Sequence, residues 1–273
     1  MKHMHTFKML MVTVAIAIPL GLTASIPLVV AKPVKVPECE VLSPPYPTIQ
    51  SAVNDATCSS IKVPKGTFNE NVVIRYRDVT IHGHASGKTI VNGGHINSVF
   101  ILDHSIVTLE GMTITDGTAT DPVHPSGGGI GSAFSTLTVK DCVIERNDTP
   151  LGGDSGGSGG GIHSVYGTLT VEDSIIRNNT ARIGGGIRAG SGGLYPNVVT
   201  IKHSLIADNV AAVRGGGILS DPAGSTRGTL TVNDSIVTGN AAPEGGGIFG
   251  RNTQLTVEDS TIADNTPDNI PLN

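Results

Sequence analysis

An eleven-residue phrase repeats along this chain and constrains its fold more than any other feature. It reads LTVKDCVIERN from Leu137, LTVEDSIIRNN from Leu169, VTIKHSLIADN from Val199, LTVNDSIVTGN from Leu230 and LTVEDSTIADN from Leu255. A degenerate copy, VTLEGMTITDG, begins at Val107. Successive copies start 30, 32, 30, 31 and 25 residues apart, and a second phrase, GGGI, ends at Ile130, Ile162, Ile187, Ile218 and Ile248. Two phrases interleaved at one period describe a unit that repeats in space as well as in sequence.

Within each unit Leu, Thr, Val and Ile alternate with polar residues over four or five positions, bounded by Gly, Asn and Asp, and no 3.6-residue stripe is present. That is the pattern of short strands. The expected fold is all-β: a single-stranded right-handed parallel β-helix of about seven coils, with three short strands per coil. Stacked coils place equivalent residues about 4.8 Å apart, giving a rod on the order of 35 Å long. Each alignment column then becomes a physical ladder. The inward columns carry Leu or Val, then Val or Ile, then a small residue (Cys142, Ser174, Ser204, Ser235, Ser260), then Ile or Val, then Asn. Asn147, Asn179, Asn209, Asn240 and Asn265 should form an asparagine ladder at a turn, each amide donating to the next carbonyl, with the asparagine itself suited to the left-handed conformation. An outward column, Glu110, Lys140, Glu172, Lys202, alternates in sign, as neighbouring parallel strands favour. The 36 glycines are explained by turns at which a Cβ would strike the coils above and below.

Ahead of the repeats the chain reads YPTIQSAVNDA from Tyr46, then IKVPKGTFNENVVI from Ile61 and VTIHG from Val79. The Thr-Ile-Gln helix, the Pro-Lys-Gly-Thr-Phe strand and turn, and Glu-Asn-Val-Val-Ile resemble the opening of pectate-lyase-like and pectin-methylesterase-like β-helices. The repeats are similar to those of bacterial polymorphic outer-membrane proteins. The resemblance implies the fold and a short N-terminal capping helix; activity does not follow, because the same architecture carries lyases, hydrolases, esterases, adhesins and inert shafts.

The first thirty residues differ from the rest. Lys2 and Lys8 precede an apolar run from Met9 to about Leu22, and Val29 and Ala31 suit a cleavage site. Residues 1–31 are therefore expected to be a secretory signal peptide and 32–273 the β-helix domain, with 32–60 as cap, 61–265 as coils and 266–273 as tail. The product is expected to be secreted or associated with a cell surface. A formal charge of -5 and the absence of a basic cluster exclude a nucleic-acid partner, and no later segment is long and apolar enough to span a membrane. In an exported chain Cys39 and Cys58 are a candidate disulfide closing the cap, while Cys142 sits in an inward column as a structural thiol.

Longer spacings place insertions at 118–126, 148–158, 188–198 and 219–229. The first two stack on one edge and the last two on another. They assemble one candidate binding cluster, Asp121, His124, Asp154, His163 and Arg188. Val143, Ile175, Leu205 and Ile236 form an outward apolar stripe, open to lateral association or covered by the tail. Gly153-Asp154-Ser155-Gly156-Gly157 imitates a serine-hydrolase phrase without the strand and helix that chemistry needs. Asp103-His104 resembles the Asp-His that pectate lyases set beside calcium, but it falls at a turn, so Asp103 is a weak metal candidate. No catalytic residue is assigned and no cofactor is expected, calcium belonging only to a lyase. With no Trp and four Tyr there is little material for sugar-stacking subsites. Two functions follow: a non-catalytic adhesin-like or glycan-facing scaffold, whose partner is a polysaccharide or surface protein, and, as the alternative, a polysaccharide lyase or hydrolase on an acidic glycan.

Overall fold

The computed structural model describes residues 38–120, 127–150, 157–190, 196–222 and 227–270. The expected signal peptide lies outside them. Among the described residues three all-parallel sheets run the length of a β-helix. The first has nine strands, from Glu38–Glu40 to Thr253–Glu258; the second has eight, from Gly66–Asn69 to Thr261–Ala263; the third has seven, from Val72–Arg75 to Ile248–Gly250. A fourth, two-stranded sheet joins Thr180–Ile183 to Val210–Arg214. Equivalent residues pair one to one, as Val107, Leu137, Leu169, Val199, Leu230 and Leu255 do. The outward charge column is longer than the repeat alone indicates: Lys62 and His82 precede Glu110, Lys140, Glu172 and Lys202 in register.

Every coil turns three corners, and two of them follow one rule throughout: a left-handed residue followed by an inward side chain. At the first corner Gly111, Asp141, Asp173, His203, Asp234 and Asp259 have φ between 45° and 67°. The next residue then turns inward, and Ser174 N–H donates to Ser204 Oγ, Ser204 N–H to Ser235 Oγ and Ser235 N–H to Ser260 Oγ at 3.0–3.1 Å. The free thiol of Cys142 occupies the same column, buried, with its pKa pushed up to about 12 by desolvation.

At the second corner the asparagine ladder forms, with Asn179 Nδ2 donating to Asn209 Oδ1 and Asn209 Nδ2 to Asn240 Oδ1 at 3.0 and 2.9 Å. The left-handed residue, however, is not the asparagine but its predecessor: Asp116, Arg146, Asn178, Asp208, Gly239 and Asp264 have φ of 53–66°. Placing the strained residue one step earlier turns the amide into the core, where Asn179, Asn209 and Asn240 are fully buried.

The GGG turns leave no room for side chains. A Cβ on Gly185 would lie 2.6 Å from the carbonyl oxygen of Gly216, and one on Gly186 2.6 Å from that of Gly217.

The ends of the core are closed by the first and last described segments. The helix Ile49–Asn54 is capped by Thr48, whose Oγ1 accepts from Ser51 N–H, and the N–H groups of Ile49 and Gln50 donate to the Glu70 carboxylate at 3.0 and 3.1 Å. Its apolar face, Ile49, Ala52 and Val53, covers the first coil. Gln50 pairs with the backbone of Val73, and Arg77 donates to the carbonyls of Val53 and Cys58. A disulfide joins Cys39 to Cys58, with Cα atoms 5.7 Å apart. At the other end Asn269 Oδ1 accepts from the backbone and side chain of Asn265, and Ile270 packs on the core. The described tail thus plugs the end of the rod instead of lying over the apolar stripe. Val143, Ile175 and Leu205 stay half-buried in one register and Ile236 is 47 % exposed.

Candidate functional site

Outward positions on the first sheet of this β-helix are half-buried or exposed, yet on the third sheet one outward column is covered. The residue after each GGGI isoleucine stacks as Gly131, His163, Arg188, Leu219 and Phe249. His163 is 6 % exposed, Leu219 0 % and Phe249 7 %. The cause is the first glycine of the GGG phrases from Gly159 onward. Gly159, Gly184, Gly215 and Gly245 adopt φ of 59–67°, which folds the preceding segment back beside the strand. A Cβ on Gly184 would lie 2.7 Å from Arg188 Cβ, and one on Gly215 2.6 Å from Leu219 Cβ. The folded-back segments carry their own column, Ser158, Ile183, Arg214 and Glu244, joined by parallel bridges.

Between the two columns lie groups with unmet hydrogen-bonding capacity. Both ring nitrogens of His163, Arg188 Nε and Arg214 Nε are buried and have no hydrogen-bond partner. Arg188 Nη1 donates to Ser158 Oγ at 2.6 Å, and the Arg214 guanidinium sits 5.5 Å from the centroid of the Phe249 ring. Burial, reinforced by repulsion from Arg188, holds the His163 imidazole well below its ordinary pKa, so it is neutral. Burial also lowers the Arg188 pKa; Asp221 opposes that shift and Arg214 adds to it. Asp221 is engaged elsewhere, since Arg251 Nε and Nη2 both donate to it at 3.0 Å. Of the cluster expected from sequence, the structure brings together His163 and Arg188 as register partners on adjacent strands. Asp121, His124 and Asp154 lie outside the described residues.

The third corner holds a feature that sequence reasoning missed. Tyr76, His104, Phe134 and Tyr166 stack ring on ring, with centroids 5.1, 4.8 and 4.6 Å apart, matching the coil spacing. All four take left-handed φ, 48–57°. The signal was available, because each stands three residues before the leading Val or Leu of a first-sheet strand. The stack covers both faces of His104 and Phe134, so these inner rings serve packing, while Tyr76 at one end is 72 % exposed. The ladder also accounts for Asp103-His104. Asp103 Oδ1 lies 2.7 Å from His104 Nδ1, orienting an imidazole held between Tyr76 and Phe134.

Ligand atoms of Glu172, Asp173 and His203 come within 4.8 Å of one another at the first corner. Asp173 and His203 are the left-handed turn residues of their coils, and both are exposed. Their proximity follows from stacking.

The right handed beta helix region family matches residues 67–262 of this chain. The chain belongs to that family. No curated relative matches it. The family match covers the right-handed β-helix from the second-sheet strand Gly66–Asn69 through Thr261–Ala263. It therefore includes all three corners, the covered column and the aromatic ladder. The motifs that first suggested the fold serve the fold: Thr48 and Gln50 cap and dock the helix, Glu70 caps its first turn, and Asn71 Nδ2 lies 3.1–3.2 Å from the carbonyl oxygens of Gly93, Asn97 and Ser98.

Proposed function

We propose that this β-helix is a secreted or surface-associated, non-catalytic scaffold of adhesin-like kind that faces a glycan. One observation carries the reading: of the pair that points toward lyase chemistry, His104 is stacked in the aromatic ladder and Asp103 is its hydrogen-bond partner. The Thr-Ile-Gln and Glu-Asn segments are likewise engaged, Thr48 and Glu70 in capping the helix, Gln50 in docking it and Asn71 on the carbonyl of Asn97. An active lyase or hydrolase needs charged groups free to meet substrate. The rigid stack, with loops emerging from its edges, suits display of a binding surface better than turnover.

The test pairs binding with turnover. Purified protein is incubated with polygalacturonate, alginate and neutral glycans, with calcium and with chelator, while reducing ends and retention on immobilised polymer are both measured. Retention without new reducing ends is expected. Calcium-dependent release of reducing ends that disappears in Asp103→Ala would establish the lyase alternative instead.

A further inference from the structure

A desolvated imidazole with neither nitrogen partnered stands in register beside Arg188, and Arg214, one coil further on, adds a second guanidinium with an unpartnered Nε. Buried polar atoms ordinarily find partners, and each exception calls for an explanation. Here the exceptions cluster: His163 Nδ1 and Nε2, Arg188 Nε and Arg214 Nε all belong to one face of three consecutive coils. Asp221 attracts Arg188 more than Arg214 repels it, but the same carboxylate also accepts from Arg251 Nε and Nη2, so one carboxylate is shared between two guanidinium groups. Phe249 beneath Arg214 and the fully buried Leu219 keep the floor apolar, which strengthens any charge interaction made above it. Gly190 lets the backbone pass close to the Arg188 guanidinium, since a Cβ there would lie 3.2 Å from the Asp221 carbonyl oxygen, 3.4 Å from Arg188 Nη2 and 3.5 Å from its Nε.

We propose that His163, Arg188 and Arg214 form a binding site for one oxyanion, which each arginine meets through its unpartnered Nε–H and the imidazole through a ring N–H. The planar guanidinium fork matches a carboxylate or sulfate, and charge-assisted bonds in a dry site are the strong ones. The anion comes from one of two sources, a uronate carboxylate of an acidic glycan or a free inorganic anion. The uronate source rests on the scaffold reading; the anion site itself does not.

The experiment uses the full chain labelled at histidine, with the His163 ring resonance assigned from His163→Gln. Sodium galacturonate, sodium sulfate, sodium chloride and glucose are titrated separately, followed by polygalacturonate. A saturable shift of the His163 signal with galacturonate or sulfate, and none with chloride or glucose, is expected. Arg188→Gln should weaken the affinity at least about tenfold, the loss of one charge-assisted hydrogen bond, whereas Arg146→Gln at the second corner should leave it unchanged. Should Arg188→Gln not fold, the ligand-induced rise in melting temperature is read in His163→Gln, which should shrink it. Saturation by both anions identifies an oxyanion site open to free anions, and saturation by galacturonate alone identifies the sugar acid as its ligand. Binding of the monomer without the polymer keeps the site and removes the glycan-facing reading. Absence of a saturable shift with either anion, or an unchanged affinity in Arg188→Gln, overturns the proposal.

Discussion

Replacing Asn209 with alanine tests the central claim that a buried amide ladder holds the coils in register. Asn209 is fully buried. Its side chain makes four hydrogen bonds: Nδ2 donates to the carbonyl of Ile176 and to Asn240 Oδ1 at 2.9 Å, and Oδ1 accepts from the N–H and Nδ2 of Asn179 at 3.0 Å. At about 1 kcal/mol net each, Asn209→Ala should lose about 4 kcal/mol. Much of that arises from what is left behind, since the Asn179 N–H loses its acceptor in a site water cannot reach. The same change at Asn265, 8 % exposed in the last described coil, should cost less because solvent reaches the stranded groups. Thr170→Ala on the outward face should stay within about 0.5 kcal/mol. Urea unfolding followed by far-UV circular dichroism with the disulfide intact ranks the three variants. A loss below about 1 kcal/mol for Asn209→Ala, or a larger loss at Asn265 than at Asn209, would refute the reasoning.

Gly185→Ala drives a methyl to 2.6 Å from the Gly216 and Val210 carbonyl oxygens and should cost about 3 kcal/mol or more, whereas Gly87→Ala, with φ of +76° and open space around it, should cost about 1 kcal/mol, both read by urea unfolding. Cys142, with its thiol pKa raised to about 12, should resist iodoacetamide at pH 8 in the native protein and label fully once unfolded, as counted by mass spectrometry. His163 is held neutral in the folded state, so below about pH 6.5 the unfolded chain takes up a proton that the folded chain refuses. Its contribution to stability is whole above that pH and falls by about 1.4 kcal/mol per unit below it, until the lower folded pKa is reached. Comparing wild type with His163→Gln at pH 7.5 and 5.5 isolates this slope.

The architecture was legible in the sequence because stacking turns columns into contacts. The leucine, serine and asparagine columns, the GGG turns and the sign-alternating column all appear in space as the repeats align them. The aromatic ladder was equally legible, since Tyr76, His104, Phe134 and Tyr166 share one offset from the strand. Composition hid it, because four unlike residues do not look like a column until their spacing is read. What alternation alone could not supply was the backbone conformation at the corners. It assigned left-handed φ to the ladder asparagines, where Arg146, Asn178 and Asp208 carry it instead. Alternation likewise places His163 and Leu219 outside, and the polypeptide buries them, because the positive φ of Gly159 and Gly215 folds a neighbouring segment beside the sheet. Period and side-chain chemistry determined that this chain is a β-helix. The one-residue choice of where each turn bends the backbone decided which polar groups lie in water and which, like His163 and Arg188, lie side by side with hydrogen bonds still to make.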